Sequence, residues 1–465
     1  MQFQILDSVD PKVIEISSSS LDSVKIEKLS QQALPILGRL SVNRFAFLMS
    51  NLASLGGNFS NNLKLISEYF SCNRCTNELL VLEDLLHKLF VKKYETETVY
   101  NDFYGLVQKL YPAIWKPEIK TEYNRKKIIF FVHNPVFLAH TNALFRLLES
   151  KCDKNIEVSV YSLRYNVNFA LACQRVNADF NVLKADKLSE AYLELADYSR
   201  NSLALVWVSV PVHLAYVSQY VDNAVLWTHK FHPDFSNTIA SIGTDRFSKS
   251  HFTFFGKEWL HFDAGFSIDN INKKPNSWEN RKLKFGSICR EELIDNEEHW
   301  SNVHLILKQN PALQYFYCGR QPKHAFWCAK FEIDCDRVSY LGWLSNPEEK
   351  VREMMFLLDG PKLGHGVIAI EALCAGVPIL SPASSTGNYR GILERGKESL
   401  PEEEINFINR TIFQSEHDLT QLADELCNKD KNEYLGDICV KISRYVDQKS
   451  QSFDEFVDLI NSKRI

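Results

Sequence analysis

The sequence predicts an α/β protein in which two α/β units face each other across a cleft, behind a helical N-terminal region. Short apolar runs alternate with helical stretches from Lys126 onward, and this alternation is typical of a mostly parallel sheet. A polar segment at residues 270–277 interrupts the pattern, which then starts again. The 465 residues are also too many for one domain of ordinary size. Two such units place a ligand site in the cleft between their sheets.

Residues 1–118 predict the helical N-terminal region, because apolar residues recur there at the spacing of a helix face. No motif in this region carries chemistry. The sequence therefore leaves three roles for this region: it recognises an acceptor, contacts a partner or supports the first α/β unit. The apolar positions that form the pattern are Phe45, Phe47, Leu48, Leu52, Leu63, Ile66 and Phe70.

The first α/β unit is predicted at residues 119–272, with strand candidates at 128–132, 158–163, 203–210 and 224–227. The uncharged stretch 202–221 is as long as a membrane span, but Pro211 and His213 divide it, so we predict a buried strand followed by a loop. The second unit is predicted at residues 273–465 and ends in helices. Its strand candidates are 284–289, 315–318, 338–341, 355–358 and 377–380.

Composition and charge exclude several classes of protein. Hydrophobic residues make up 45% and charged residues 24% of the chain, as in ordinary globular proteins. The formal net charge of −5 gives no basic field for a polyanion, so nucleic acid is not expected as a partner. The 11 cysteines are scattered, with Cys72 and Cys75 as the one close pair, which predicts reduced thiols. No signal or transmembrane segment is visible, so the cytoplasm is the expected compartment.

The stretch most informative about chemistry is LDGPKLGHGVIAIEALCAGVPILSP at residues 358–382, which predicts a strand, a glycine loop, a short helix and a second strand. Gly364 and Gly366 let the backbone approach a ligand closely, and a helix that begins near Gly366 directs free amide groups at an anion such as a diphosphate. Glu371 lies about one and a half turns into this helix, where its carboxylate can accept bonds from sugar hydroxyls. Gly376 then ends the helix.

This stretch resembles the nucleotide-sugar-binding core of glycosyltransferases with two Rossmann-like domains, the GT-B type. Its Leu-Asp-x-Pro motif, Gly-His pair, Glu371 and Ala-Gly-Val-Pro motif are most similar to those of O-GlcNAc transferase and the bacterial adhesin N-glycosyltransferases. The retaining branch has a glutamate eight residues before Glu371, where this chain has Leu363, so the resemblance implies the inverting branch. The similarity covers residues 284–390, and residues 126–260 fit the partner domain.

The resemblance implies a donor site in the second unit. Glu371 would hold the ribose hydroxyls of the donor, and Arg290 would face its pyrophosphate. For His365 a capping or packing role is the alternative. The diphosphate would lie against the backbone of four successive residues, Gly364, His365, Gly366 and Val367.

Two features of the family are absent from this chain. The family has a lysine that contacts the diphosphate, and this chain has Leu293 at that position. The family also has a pair of threonines after the Gly-His motif, and this chain has Val367 and Ile368 there. Either Arg290 and Arg320 supply the missing phosphate contacts, or the donor binds differently.

The first unit is expected to supply the acceptor side of the site and the general base. His140, at the start of the helix after the first strand, is the first candidate for the base, and His133, at the end of that strand, is the second. For each histidine taken alone, a structural role is the alternative. Further candidates for contacts to the acceptor or to phosphate follow other strands: His213, His229, Lys230, His232, Thr386 and Arg390.

Together these features predict an inverting glycosyltransferase that moves a hexosyl or N-acetylhexosaminyl group from a UDP-sugar to a protein side chain or a protein-linked glycan. The resemblance implies that no metal or other cofactor takes part. One alternative is a catalytically silent homologue that binds an adhesin or supports a partner glycosyltransferase. A transferase that extends a lipid-linked glycan and a sugar-nucleotide epimerase are further alternatives. Nucleotide binding or donor hydrolysis would separate an enzyme from the silent homologue.

Overall fold

A computed structural model describes residues 124–463 with short gaps, together with seven positions before residue 124. Those seven positions are all helical: Phe45, Glu68, Tyr69, Thr76, Leu79, Leu80 and Glu83. The rest of the predicted N-terminal region, the polar segment 270–277 and the pair Cys72 and Cys75 lie outside the described residues. The gaps after residue 124 are 137–138, 153–154, 209, 229–235, 237, 244–250, 255–256, 266–277, 279–280, 282, 290–292, 320–321, 343, 345–346, 362–366 and 386–387.

The first sheet has eight strands in the order β3-β2-β1-β4-β5-β6-β8-β7. Neighbouring strands run parallel except β7, which is antiparallel to β8. In the centre, Phe130 of β1 lies opposite Val160 on one side and Val206 on the other. The strands are β1 (Asn124–Val132), β2 (Glu157–Ser162), β3 (Asp179–Val182), β4 (Ser202–Val208), β5 (Ala224–Thr228), β6 (Ala240–Gly243), β7 (His251–Phe254) and β8 (Lys257–His261).

The four strands predicted for the first unit are confirmed as β1, β2, β4 and β5. The prediction missed β3, β6, β7 and β8, because these strands have four or five residues and no continuous apolar run. After β4 the chain forms a short helix where a loop was predicted. The described helices of this unit are α1 (Ala139–Glu149), α2 (Val167–Arg175), α3 (Leu188–Ser199) and α4 (Leu214–Val217).

The second sheet has six parallel strands in the order β11-β10-β9-β12-β13-β14. All five predicted strands are confirmed, and only β14, which has two residues, was missed. The strands are β9 (Lys284–Ser287), β10 (Gln314–Tyr317), β11 (Val338–Tyr340), β12 (Phe356–Leu358), β13 (Ile379–Pro382) and β14 (Ile412–Phe413).

Helices occupy most intervals of the second unit and continue to the end of the described chain. Their lengths run from six residues in α7 to 20 in α12. They are α5 (Glu297–Gln309), α6 (His324–Phe331), α7 (Pro347–Arg352), α8 (Val367–Cys374), α9 (Asn388–Gly396), α10 (Glu402–Asn409), α11 (Glu416–Leu426), α12 (Lys429–Gln448) and α13 (Phe453–Ser462).

Each sheet reverses its strand order at one point, between β1 and β4 in the first sheet and between β9 and β12 in the second. The strand order of the second sheet is that of the doubly wound Rossmann fold, and the first sheet has the same order in its first six strands. In open α/β sheets a ligand binds outside the carboxyl ends of the strands at such a switch point. The loops after β1, β4, β9 and β12 are therefore the places to look for a site.

The last helix, α13, packs on the first sheet although it follows the second sheet in sequence. Phe453, Phe456 and Ile460 are fully buried in the same core as Phe130 and Trp227. The predicted limits 1–118, 119–272 and 273–465 stay predictions. Within them, α13 belongs by its contacts to the first core, so the chain returns to the first unit at its end.

The core of the second unit includes a close contact between α12 and the end of α8. A Cβ atom on Gly436 would lie 2.6 Å from the carbonyl oxygen of Gly376, and Nη2 of Arg281 donates to that same oxygen at 2.7 Å. Both neighbours are fixed, one as backbone and one as a half-buried guanidinium held by its hydrogen bonds. Only a glycine therefore fits at residue 436.

We expect Gly436→Ala to destabilise the protein by about 1–3 kcal/mol, because overpacking against rigid backbone outweighs the better helix propensity of alanine. Urea denaturation of both proteins measures the loss. Asp437→Ala on the exposed face of the same helix is the matched control and should stay within about 0.5 kcal/mol of the parent. A variant at residue 436 as stable as the parent would contradict this packing.

Candidate functional site

The loop after β1 contains the two histidines predicted as candidate bases. His133 is the first residue after β1 and is half-buried, with its ring edge-on to that of Phe131 at 6.3 Å between centroids. His140 is the second residue of α1 and is also half-buried. Thr141 is fully buried, and its hydroxyl donates to the carbonyl of Val136 at 2.7 Å, which ties the helix start back to the loop. Both histidines therefore lie at the carboxyl end of a switch-point strand.

His213 lies after β4, at the other side of the same switch point, but it is fully buried. Its Nε2 donates to the carbonyl oxygen of Leu80 at 2.5 Å, because a carbonyl can only accept, and its Nδ1 lies 2.6 Å from the hydroxyl of Tyr192. Its backbone N–H donates to Oε1 of Glu83 at 2.8 Å. Both ring nitrogens are thus used inside the protein. The predicted contact of His213 with an acceptor or phosphate is corrected to a structural position.

In the second unit, the carboxylate of Asp359 ties together the loops after β12 and β13. Asp359 follows β12 and is fully buried, and its Oδ2 accepts from the hydroxyls of Ser381 at 2.9 Å and Ser385 at 3.3 Å. Its own backbone N–H donates to the carbonyl of Leu380 at 2.8 Å. A buried carboxylate with several hydrogen bonds fixes the groups around it. The glycine loop that follows thus begins from a rigid base.

The loop after β12 also touches the loop after β9. A Cβ atom on Gly360 would lie 2.8 Å from the carbonyl oxygen of Leu293, so a side chain has no room there. The hydroxyl of Ser287, at the end of β9, donates to the carbonyl of Leu358 at 2.7 Å. These contacts join the ends of β9 and β12 and the loops that follow them at the second switch point. They also explain why the Leu-Asp-x-Pro motif has glycine at its variable position in this chain.

Helix α8 begins at Val367, as predicted, and presents Glu371. Ala369 and Ala372 are fully buried against the core, whereas Glu371 is half-buried with its Oε2 atom inside the protein. Gly376 ends the helix with a φ of +68°, and the N–H of Val377 donates back to the carbonyl of Ala372 at 2.8 Å. The predicted order of strand, helix, glycine stop and strand is therefore confirmed.

The remaining predicted site residues are distributed as follows. Arg390 is exposed on α9, and its Nη1 donates to the carbonyl of Ala383 at 3.2 Å, in the loop after β13. Ile368, one of the substituted positions, packs against the second core. Nine predicted residues lie outside the described part of the chain: His229, Lys230, His232, Arg290, Arg320, Gly364, His365, Gly366 and Thr386.

Sequence reasoning missed the residues that support the site. The rings of His133 and His213 lie 5.7 Å apart, and Glu83 and Tyr192 hold His213 in place. The partners of His213 are 21 and 130 residues away in sequence, so no local pattern could have identified them. Asp359 had a signal, because an acidic residue directly after a buried strand must find hydrogen-bond donors nearby.

The first unit meets the second at a largely buried ion pair. Nη1 of Arg395 donates to Oδ2 of Asp263, and the N–H of Gly265 donates to Oδ1 at 3.0 Å. The backbone of Asp263 also exchanges hydrogen bonds with Gln451, from which the chain enters α13. Burial alone would raise the carboxyl pKa of Asp263, but Arg395 and the N–H of Gly265 outweigh it, and the pKa is lowered.

A lowered carboxyl pKa contributes stability above the unfolded value of 3.8, and this contribution is lost as the pH falls through the folded value. We therefore expect acidification from about pH 6 to about pH 3 to destabilise the parent more than Asp263→Asn, which has no carboxylate to protonate. Thermal unfolding across this pH range measures both proteins. Equal pH dependence would show that the pair contributes nothing to acid stability.

Among the described residues, no group of three or more His, Cys, Asp or Glu side chains is arranged to hold a metal ion. None of the helices in that part of the chain is both long and apolar enough to cross a membrane. The nine cysteines there are free thiols, as predicted.

Comparisons with solved structures identify the fold. An O-GlcNAc transferase mutant of Thermobaculum terrenum is 13% identical, with a TM-score of 0.58, and the match covers 95% of this chain and 90% of that one. A structure of TarM is 10% identical, with a TM-score of 0.51, and the match covers 72% of this chain and 99% of that one. No family model matches the chain, and no curated protein matches its sequence. The chain therefore has the two-domain GT-B fold that the sequence predicted.

Proposed function

We propose that this protein is an inverting glycosyltransferase that transfers a sugar from a UDP-sugar to a protein side chain or a protein-linked glycan. The observation that carries the proposal is the pairing of two switch points in one GT-B chain. The first has the loop with His133 and His140, and the second has the glycine loop and Glu371. The likeness to an O-GlcNAc transferase over 95% of the chain supports it.

The donor would bind in the second unit. The diphosphate lies at the N-terminus of α8, where backbone N–H groups and the helix dipole favour an anion. Glu371 accepts hydrogen bonds from the ribose hydroxyls, and Arg290 and Arg320 neutralise phosphate charge. Gly364, His365 and Gly366, which precede α8 in the sequence, would contact the diphosphate through their backbone. Asp359, which comes before them, is held in place by the hydroxyls of Ser381 and Ser385.

The acceptor would enter from the first unit. His140, with His133 as the second candidate, takes the proton from the acceptor hydroxyl or amide as that atom attacks the anomeric carbon. The bond from the anomeric carbon to the diphosphate oxygen breaks on the opposite face, so the configuration inverts and UDP leaves. The N-terminus of α8 and the arginines stabilise the leaving diphosphate, and no metal ion is required for this step. Arg390 and Thr386 are further candidates for contacts to the phosphate or the acceptor.

A catalytically silent homologue is the second candidate, and the substituted phosphate positions favour it. Ile368 packs into the second core, and the carbonyl of Leu293 faces Gly360. Neither side chain offers a donor to phosphate, as lysine or threonine would. A protein of this kind would use the same cleft to bind a glycosylated or unfolded adhesin for a partner enzyme.

Donor turnover tests the proposal. The protein is incubated with UDP-GlcNAc or UDP-glucose in the presence of EDTA, and release of UDP is followed. We expect slow hydrolysis of the donor, and proton NMR should show the β-configured sugar as the first product. The His140→Ala variant should no longer hydrolyse the donor. Binding of UDP without any turnover of either donor or transfer to protein would favour the silent homologue. Release of the α-anomer first would contradict inversion.

A further inference from the structure

Glu83 is a buried carboxylate that reaches the first switch point from the N-terminal region. It is 1% exposed, and Oε1 accepts from the backbone N–H of His213 at 2.8 Å. A buried carboxylate is costly unless it is hydrogen-bonded, so this contact links two parts of the chain 130 residues apart. Leu80, one helical turn earlier, accepts from the ring of the same histidine.

His213 needs these contacts because its backbone is strained. Its φ of +67° lies in the left-handed region, which is unfavourable for a residue with a Cβ atom. The hydrogen bonds to Glu83 and Leu80 hold the backbone and the ring from one side, and the Tyr192 hydroxyl holds Nδ1 from α3. Without the carboxylate, the loop after β4 is free to relax toward an ordinary conformation.

The ring of His213 lies against that of His133. Their centroids are 5.7 Å apart with an interplanar angle of 49°, and Phe131 meets His133 edge-on at 6.3 Å. The ring of His133 is thus bounded on two sides, by its own strand and by His213. A shift of His213 would change the direction in which His133 points at the end of β1.

We propose that Glu83 is a positioning residue for the acceptor side of the cleft. It holds His213 in its left-handed conformation, and His213 in turn orients the ring of His133. This inference rests on the proposed function and gives residues 1–118 a role in it, namely support of the first switch point. Reactivity depends on the placement of such groups to within about 1 Å, so loss of the contact acts on turnover and not on donor binding.

Kinetics with UDP-GlcNAc and water as acceptor test the chemical consequence. We expect Glu83→Ala to lower kcat for donor hydrolysis by about 10- to 100-fold and to leave the Kd of UDP within about twofold. Glu83→Gln keeps an oxygen acceptor and should restore most of the rate. In a His133→Ala background, Glu83→Ala should have no further effect, because it acts through that ring. An equal loss in both backgrounds would overturn the proposal.

Histidine NMR tests the link without relying on activity. With ¹³C-labelled histidine, the ring signals of His133 should shift in Glu83→Ala and in Tyr192→Phe. They should not shift in Glu404→Ala, a matched loss of a buried glutamate in the second unit. If Glu83→Ala does not fold, Tyr192→Phe decides, since it removes one hydroxyl. Unmoved His133 signals would refute the proposal. A parent that neither binds UDP nor hydrolyses donor would instead refute the proposed function.

Discussion

Replacing Glu371 with alanine is expected to weaken the binding of UDP by about 1.5–3 kcal/mol, or roughly 10- to 150-fold in Kd. The reason is that a half-buried carboxylate on α8 would accept the two ribose hydroxyls, and hydrogen bonds to a charged group contribute on this scale. Isothermal titration of UDP into the parent and the variant measures the difference directly.

The matched control for this change is Glu394→Ala on α9. That glutamate is in the same unit, but its side chain is 58% exposed and forms an ion pair with the neighbouring Lys397. Its loss should leave the Kd of UDP unchanged. If Glu371→Ala and Glu394→Ala bind UDP equally well, the ribose does not lie on α8 and the donor site has been misplaced.

Replacing Phe456 with alanine is expected to cost about 3–5 kcal/mol in the free energy of unfolding. The ring is fully buried and lies 6.2 Å from that of Phe130, 5.4 Å from that of Trp227 and 4.9 Å from that of Phe262. Its removal leaves a cavity between α13 and the first sheet. Urea denaturation followed by tryptophan fluorescence measures the loss, with Trp227 as a reporter beside the cavity.

Asp458→Ala is the control for the helix itself, because Asp458 is exposed on α13 and should change stability by no more than about 0.5 kcal/mol. Limited proteolysis adds a second readout. If α13 anchors the chain end to the first unit, it should become cleavable in Phe456→Ala before the second unit unfolds. A loss below about 1 kcal/mol with an uncut helix would show that α13 contributes little to the first core.

The central strands were predictable because a strand that is buried on both faces consists of a continuous run of apolar residues. All seven residues of β4 are buried, and such a run has few alternatives in an α/β protein. The strands β3 and β6 were not predictable in this way. The residues Asp179–Val182 of β3 are exposed or half-buried at the sheet edge, and Ala240–Gly243 of β6 contains a serine and a glycine. These segments are strands because they pair with neighbouring strands, and not because their own residues have a high strand propensity.

Which sheet α13 packs against cannot be predicted from the sequence of the helix alone. Its apolar face, with Phe453, Phe456 and Ile460, predicts that the helix is buried on one side. The pattern does not say which sheet covers that face. Contacts at Asp263 and Gln451 settle it, since they bring the chain back to the first unit just before the helix begins.

In the candidate site, too, the features set by local sequence were predictable and those set by long-range contacts were not. The helix that presents Glu371 and the glycine stop at Gly376 follow from local chemistry, and both were predictable. The burial of His213 was not, because Leu80 and Glu83 approach it from the N-terminal region. A histidine after a strand looks the same in sequence whether it faces a cleft or a distant helix. Long-range contacts therefore decide which predicted candidates are structural.

Calorimetric titration of the purified protein with UDP and with GDP shows whether the second switch point binds a uridine diphosphate donor. We expect saturable binding of UDP at one site per chain, tighter than the binding of GDP and unchanged in the presence of EDTA. Absence of heat with either nucleotide, in a protein shown to be folded, would contradict this expectation and leave the silent homologue as the better description.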